Sequence, residues 1–152
     1  MRFLRTPVGR QKGITLLELM IVVAIIAMIA AFGYPSYTQY IVNTKRTAAT
    51  STLLQIADRQ QQFFMDNKSY ANDLTNLGFA ANPLWVSDDG MPVPAGDADA
   101  VYIFAVVNVA PTTYIAIAAP LGQQLKRDKD CGTLTLNQAG ARQASAGGGD
   151  CW

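Results

Sequence analysis

The most constraining feature of this chain is a long apolar run that contains its only glutamate. Residues 14–34 read ITLLELMIVVAIIAMIAAFGY, and Glu18 is the one charged side chain among them. A run of this length is sufficient for a helix that spans a bilayer. A carboxylate at bilayer depth costs roughly 2.5–3.5 kcal/mol on the insertion scale, so Glu18 is a candidate functional residue.

The thirteen residues before this run are basic. They carry four of the twelve Lys and Arg residues, contain no acid and end at Gly13. The positive-inside rule places such a segment in the cytoplasm, so the rest of the chain is expected to be exported. After Gly13, eight basic residues stand against eleven acids, a formal charge of −3 (8 − 11). A sequence-wide basic surface for nucleic acid is therefore not expected.

Two ordinary explanations of the apolar run stay open at this point. A secretory signal could be cleaved after Gly33, but the apolar region of such signals usually has about 7–15 residues. A plain signal anchor would make Glu18 a tolerated residue near the interface. That explanation accounts for the span but not for the spacing between Gly13, Ile14 and Glu18.

The helical pattern resumes after the apolar run. Pro35 lacks a backbone donor and clashes with the preceding turn, so a kink is expected there. Apolar residues then recur at spacings of three and four, with Lys45 and Arg46 off the stripe. One helix is predicted from Ile14 to Phe64, buried all round in its first half and on one face in its second. The stripe of the second half consists of Tyr37, Tyr40, Ile41, Thr44, Ala48, Ala49, Leu53, Ile56, Ala57, Gln60, Phe63 and Phe64.

Strands are expected only in the last third of the chain. From Asp66 to Ala100 turn residues dominate, and at most one short helix is expected there, over Ala71–Leu77. Alternation in Val101–Val109 places the five odd-numbered residues on one face. An antiparallel sheet packed on the apolar stripe of the helix, an α+β arrangement, would bury both. The predicted strands form two hairpins, Val101–Val109 with Thr112–Ala119 and Thr133–Leu136 with Ala141–Ala144.

The two cysteines of the chain, Cys131 and Cys151, lie near its C-terminus. In an exported domain such a pair indicates one disulfide, and closing this loop should stabilise the fold by roughly 3 kcal/mol. A zinc site is not expected, because the chain has no histidine and two thiolates do not fill a tetrahedral site.

Catalysis is not expected from this sequence. It has no histidine, one glutamate and no glycine-rich phosphate loop, so no catalytic residue, metal or cofactor is assigned. The acidic pairs at 88–89 and 97–99 could bind calcium, but solvated turns are the favoured interpretation. The alternating charges of Lys126–Asp130 are interpreted as a solvated surface, and DNA binding there is not favoured.

Both ends of the chain resemble one known family. The basic leader ending at Gly13, followed by an apolar helix with Glu18 at its fifth position, resembles type IV prepilins. The sequence YPSY at 34–37, with Tyr40 and Arg46, resembles the same family's helix just outside the membrane. At the other end, KRDKDCGTLTLN at 126–137, followed by Gln138, Gly140 and the final DCW at 150–152, resembles PilE-type minor pilins. The resemblance implies the type IV pilin fold, a long N-terminal helix packed on a small antiparallel sheet.

The resemblance also implies roles for individual residues. Prepilin peptidase would cleave between Gly13 and Ile14 and methylate the new amine of Ile14. Glu18 would assist subunit assembly by pairing with the amine of a neighbouring subunit, and Pro35 would mark a helix break. The two cysteines match the family's disulfide-bounded C-terminal loop. Two positions depart from the family pattern, Ile14 where Phe is more usual and Ala27 where many members have Gly.

Three segments follow from the resemblance: a leader at 1–13, a transmembrane and assembly segment at 14–35, and an exported globular domain at 36–152 that includes the amphipathic helix half 36–64. The implied protein is a minor pilin that supports adhesion and twitching motility. It would reside in the inner membrane with its N-terminus in the cytoplasm before assembly, and then in the extracellular filament.

The implied partners are other major and minor pilins, prepilin peptidase and the inner-membrane assembly platform, with no specific nucleic acid. A pseudopilin of a type II secretion system is the alternative. It would share the leader, the glutamate and the helix, but major pseudopilins generally carry a calcium site and lack the terminal disulfide.

Overall fold

A computed structural model of the chain describes residues 13–152, apart from the side chains of residues 33–35. The chain divides into two compact units, Met1–Thr38 and Gln39–Trp152. Helix α1, Leu16–Asn67, contributes its first part to one unit and its second part to the other. The two units are described separately below.

The described part of the first unit is dominated by the apolar half of α1. Its large apolar side chains are all exposed, by between 49 % at Val22 and 82 % at Phe32. This helix is long and apolar enough to cross a membrane. The helix assignment continues through residues 33–35, whose side chains lie outside the described residues. The kink at Pro35 and the leader at 1–13, of which only Gly13 is described, therefore stay predictions.

The second unit is a six-stranded antiparallel sheet with α1 on one face. The strands are β1 Leu84–Ser87, β2 Pro92–Val93, β3 Ala100–Ala110, β4 Thr113–Pro120, β5 Leu134–Asn137 and β6 Arg142–Ala144, and a short helix α2 spans Gly122–Arg127. The strand order is β2-β1-β3-β4-β5-β6, and both predicted hairpins are present as β3–β4 and β5–β6. The α+β prediction of a helix packed on an antiparallel sheet is therefore confirmed.

The buried face of α1 in this unit differs from the predicted stripe in its first turns. Tyr37, in the first unit, and Tyr40 are 65 % and 67 % exposed, whereas Arg46 is only 8 % exposed. The prediction that Arg46 lies off the stripe is wrong, because a buried carboxylate on α2's C-terminal side neutralises it. The buried positions repeat at spacings of four and three and are Val42, Arg46, Ala49, Leu53, Ile56 and Gln60.

The core face of β3 consists of its even-numbered residues. Tyr102, Phe104 and Val106 pack with Leu53 and Ile56 of α1 in the core. The prediction that five odd-numbered residues share one face holds only for the middle three, Ile103, Ala105 and Val107. Val101 belongs to the core and Val109 packs against it, because the register shifts at both ends of β3 interrupt the alternation. Alternation could not identify the core side, because both faces of β3 are apolar.

The segment between α1 and β3 is more ordered than predicted. It contains β1 and β2, which were missed because they are short and bordered by turn residues. The helix expected over Ala71–Leu77 is a single 3-10 turn, Leu74–Leu77. The Asp73 side chain caps this turn by accepting the Thr75 N–H, and Gly78 ends it at φ +79°.

Two side chains of α1 fasten this segment to the helix. The fully buried Gln60 amide donates to the Ala71 carbonyl at 2.8 Å and accepts the Ala71 N–H at 2.9 Å. Arg59 donates to the Leu77 carbonyl at 2.9 Å, and its Cζ lies 4.3 Å from the centroid of the Phe79 ring. A polar residue at a buried helix position is thus satisfied by pairing with backbone, as buried polar groups require.

Tyr114 on β4 makes alkaline pH destabilising. Burial, and then the nearby Tyr70, raise the pKa of Tyr114 to about 12, whereas an unfolded tyrosine has a pKa near 10. Both states are protonated below pH 10. Between pH 10 and 12 only the unfolded state ionises, so unfolding should become easier by roughly 1 kcal/mol per pH unit.

The measurement is the urea midpoint of the purified chain at pH 9, 10 and 11. The Tyr114→Phe variant should lose less stability over this interval than the parent. Burial also raises the pKa of Tyr102, so some pH dependence should persist in the variant. Identical slopes for parent and variant would contradict the assignment to Tyr114.

Candidate functional site

The predicted cleavage site lies before the start of α1. Gly13, Ile14 and Thr15 are outside the helix, which begins at Leu16, and all three are exposed. A side chain added at Gly13 would meet no other atom within 4 Å. Nothing in the described fold therefore requires glycine at position 13. A requirement for glycine at this position would have to come from a protein that recognises this peptide, such as a peptidase.

Glu18 lies in the first turn of α1. Its N–H donates to the Thr15 hydroxyl at 3.2 Å, and this caps the helix start. The positive end of the helix dipole favours a carboxylate at this position. Both ion pairs found among residues 13–152 lie in the second unit, so neither involves Glu18. A cation for Glu18 would have to be supplied from outside these residues.

A buried charge cluster joins α1 to the C-terminal region of the second unit. Arg46 donates from Nε and Nη2 to the two carboxylate oxygens of Asp128, at 3.1 and 2.5 Å. Asp128 is 2 % exposed and also accepts from the Tyr102 hydroxyl and the Gln124 amide. The hydrogen bonds and charge of Asp128 raise the pKa of Arg46 against the opposing effect of burial. The interpretation of Lys126–Asp130 as wholly solvated surface is therefore wrong at Asp128.

The same arginine holds the end of the chain. Its Nη1 donates to the Asp150 carbonyl at 3.1 Å, one residue before Cys151. Arg46 thus bridges the two borders of the loop closed by the disulfide, since Asp128 lies just before Cys131. The Cys131–Cys151 disulfide is present, with both residues buried, so that prediction is confirmed. The sequence had pointed to the disulfide but not to the arginine that fixes its loop on the helix.

Two of three consecutive glycines in the disulfide loop are constrained, Gly147 by its φ of +75° and Gly148 by a close approach of backbone. A Cβ at Gly148 would overlap the Asp130 carbonyl oxygen and come within 3.1 Å of the Cys151 sulfur. A Cβ at Gly149 would meet nothing within 4 Å. The Gly148 N–H also donates to the Asp130 carbonyl at 3.0 Å, so the two backbones cannot easily separate.

Gly148→Ala should therefore destabilise the second unit by about 1–3 kcal/mol, the usual cost of overpacking. Gly149→Ala is the matched control and should change stability little. Urea unfolding of the two oxidised proteins, followed by tryptophan fluorescence, measures the difference. Equal midpoints for the two variants would show that the loop backbone shifts to accommodate the methyl group added at Gly148.

Comparison with known protein families gives two matches, which together cover residues 9–135. Residues 35–135 match the family described as "Type IV minor pilin ComP, DNA uptake sequence receptor". Residues 9–34 match the "Prokaryotic N-terminal methylation motif". The first match covers 101 of the 152 residues, and the second covers the exposed Gly13–Ile14 bond and Glu18.

Individual pilins are similar over parts of the chain. The type IV major pilin protein PilA of Myxococcus xanthus is 37 % identical over 47 % of this chain and 32 % of its own length. A fimbrial protein of Pseudomonas aeruginosa is 35 % identical over 49 % of this chain and 52 % of its own length. The chain thus spans a third to a half of the length of these two relatives.

A third relative aligns over most of both chains. The type IV wide pilus major component PilA4 of Thermus thermophilus is 30 % identical over 73 % of this chain and 75 % of its own length. The methylation motif and the apolar helix fit a membrane-anchored precursor that becomes part of an extracellular pilus. The chain belongs to the type IV pilin family.

Proposed function

We propose that this protein is a minor structural subunit of a bacterial type IV pilus that supports adhesion and twitching motility. The observation that carries the proposal is the exposed Gly13–Ile14 bond directly before an apolar helix whose side chains are uncovered. Prepilin peptidase would cut this bond and methylate Ile14. The inner-membrane assembly platform would then pass the subunit into the filament.

Pairing of charges between subunits supplies the physical reason for assembly. The cleaved chain would begin with the positive amine of Ile14, and the carboxylate of Glu18 follows one helical turn later. Both are poorly solvated in a bilayer, so the pairing of amine and carboxylate from adjacent subunits would offset their desolvation. The exposed apolar side chains from Leu16 to Phe32 would then pack together in the filament.

The test compares a strain that expresses the chain at its native level with a strain in which its gene is deleted. As a minor subunit, the protein should form a small fraction of sheared filaments, and its loss should reduce adhesion and twitching while filaments persist. Quantitative mass spectrometry of the filaments measures the fraction. A dominant share would make it the major subunit instead, and defective protein secretion with intact pili would indicate a pseudopilin.

DNA uptake is a second candidate function, favoured by the family that residues 35–135 match. One feature of the surface supports it and opposes the earlier prediction of no specific nucleic acid. Because Arg46 neutralises the buried Asp128, the exposed side chains of this segment are Lys126, Arg127 and Lys129 with a single acid, Asp130. Exposed cations of this kind attract phosphate backbones.

Fluorescence anisotropy of labelled duplex DNA with the purified chain tests this candidate. Binding should weaken as salt increases and should fall when Lys126, Arg127 and Lys129 are replaced together by Ala. Lys68→Ala, an exposed cation at the end of α1, is the matched control. Absence of binding at low salt would exclude this function for the chain alone.

A further inference from the structure

One residue, Thr15, sets the start of α1. Its carbonyl accepts the first hydrogen bond of the helix, from the Leu19 N–H at 3.1 Å. Its hydroxyl accepts a second hydrogen bond, from the Glu18 N–H at 3.2 Å. Thr15 itself lies just outside the helix, which begins at Leu16. A residue with these three features is the N-cap of a helix.

Thr15 and Glu18 also match a known capping sequence. The pattern Thr-x-x-Glu at 15–18 is that of the capping box, in which the glutamate lies at the third helical position. In a capping box the N-cap hydroxyl accepts the N–H of this third residue, as the Thr15 hydroxyl does here. The hydrogen bond to Thr15 therefore fixes the place of Glu18 in the first turn of α1.

Other threonines of α1 use their hydroxyls in the opposite sense. Four of them donate to a backbone carbonyl of the preceding turn: Thr44, Thr47, Thr50 and Thr52. Such bonds are common within a helix and do not mark its end. The Thr15 hydroxyl instead accepts from an N–H at the helix start, where no carbonyl of the helix is within reach. The role of this threonine thus depends on its position.

Leader cleavage would make the start of α1 less stable. The new amine of Ile14 would place a positive charge beside the positive end of the helix dipole, which favours unravelling of the first turn. The apolar side chains that follow are uncovered, so the turn is expected in lipid or among other subunits. An N–H without a partner is costly in such surroundings. The hydroxyl of Thr15 and the carboxylate of Glu18 both oppose this unravelling.

We propose that Thr15 is a positioning residue for assembly: it holds the first turn of α1 together after cleavage and so fixes the spacing between the Ile14 amine and the Glu18 carboxylate. This inference rests on the proposed function, in which amine and carboxylate of adjacent subunits pair. Groups that are already held in their bound arrangement lose less conformational freedom when they pair. An unravelled turn would let the two groups move independently, and pairing would weaken although both charges remain.

Substitutions at Thr15 test this role without a change at Glu18. Thr15→Val keeps the shape of the side chain but removes the hydroxyl, whereas Thr15→Ser and Thr15→Asn keep an oxygen that can cap the helix. Thr44→Val is the matched control, because it removes an exposed threonine hydroxyl from the interior of the same helix. Leader cleavage should persist in all four variants, since none of them alters the Gly13–Ile14 bond.

The first measurement is amide hydrogen exchange of the purified, cleaved chain in detergent micelles. The Glu18 N–H should exchange about fivefold faster in Thr15→Val than in the parent, the factor expected for loss of an N-cap. Its exchange should stay close to that of the parent in Thr15→Ser, Thr15→Asn and Thr44→Val. Glu18→Gln should also keep this protection, because glutamine can replace glutamate in a capping box. Loss of the cap is thereby separated from loss of the charge.

The second measurement is the amount of each variant in sheared filaments. Incorporation of Thr15→Val should fall about fivefold, whereas Thr15→Ser, Thr15→Asn and Thr44→Val should be incorporated like the parent. Normal incorporation of Thr15→Val, or unchanged exchange of its Glu18 N–H, would overturn the proposal. A parent chain that keeps its leader or is absent from the filaments would instead refute the proposed function, and the role of Thr15 in assembly with it.

Discussion

Replacing Glu18 with Val should separate membrane insertion from filament assembly. The substitution removes a costly group from the apolar segment, so insertion should be unchanged or improved. The amine of Ile14 in a neighbouring subunit would lose its carboxylate partner. Because an uncompensated charge in a low-dielectric site costs about 3–5 kcal/mol, incorporation into filaments should fall at least about tenfold.

The measurement compares the inner-membrane and sheared-filament fractions of the same culture. Leader cleavage should persist, since Glu18 lies beyond the bond that is cut. Leu19→Val is the matched control, because it changes the adjacent exposed side chain without a change of charge. Glu18→Gln removes the charge but keeps a polar side chain, and its incorporation into filaments should fall as it does for Glu18→Val. Normal incorporation of Glu18→Val would show that this glutamate is only a tolerated interfacial residue.

Removal of the Asp128 carboxylate should strongly destabilise the second unit. In Asp128→Ala, Arg46 would remain buried without its counter-charge, and the Tyr102 hydroxyl and Gln124 amide would lose a shared acceptor. Breaking a buried ion pair in this way costs about 3–5 kcal/mol. Urea unfolding of the purified chain, followed by tryptophan fluorescence, should show a correspondingly lower midpoint.

Asp130→Ala is the matched control for this prediction. Asp130 lies two residues away in the same segment, but its side chain is exposed, so its removal should cost well under 1 kcal/mol. The double variant Arg46→Met with Asp128→Leu should recover part of the loss, because apolar residues can replace a buried ion pair at little cost. Equal midpoints for Asp128→Ala and Asp130→Ala would mean that the charge cluster does not hold the loop on α1.

The strongly periodic parts of the fold could be predicted from the sequence. Apolar residues at spacings of three and four predicted that one helix continues from the apolar run to Phe64. In the structure α1 ends three residues later, at Asn67. The hairpins β3–β4 and β5–β6 followed from β-branched strands bordered by turn residues. The disulfide followed from the presence of two cysteines in an exported domain.

The remaining features depend on contacts between distant parts of the chain. Arg46 was excluded from the core as a charged residue, although it continues the buried spacing of Leu53, Ala49 and Val42. That spacing was the available signal. The carboxylate of Asp128, 82 residues away, offsets the desolvation of the buried Arg46 side chain. The core side of β3 was likewise undetermined, because it is set by the packing of α1 and not by alternation within the strand.

The N-terminus of the protein in the filament shows whether this chain is processed and assembled as a pilin. Mass spectrometry of sheared surface filaments should find an N-terminal peptide that begins at Ile14 and carries a methylated amine. A bulky residue at position 13 should leave the leader attached and abolish this peptide. A filament protein that began at Met1 or after Gly33, or the absence of the chain from surface filaments, would mean that the chain is not processed and assembled as a pilin.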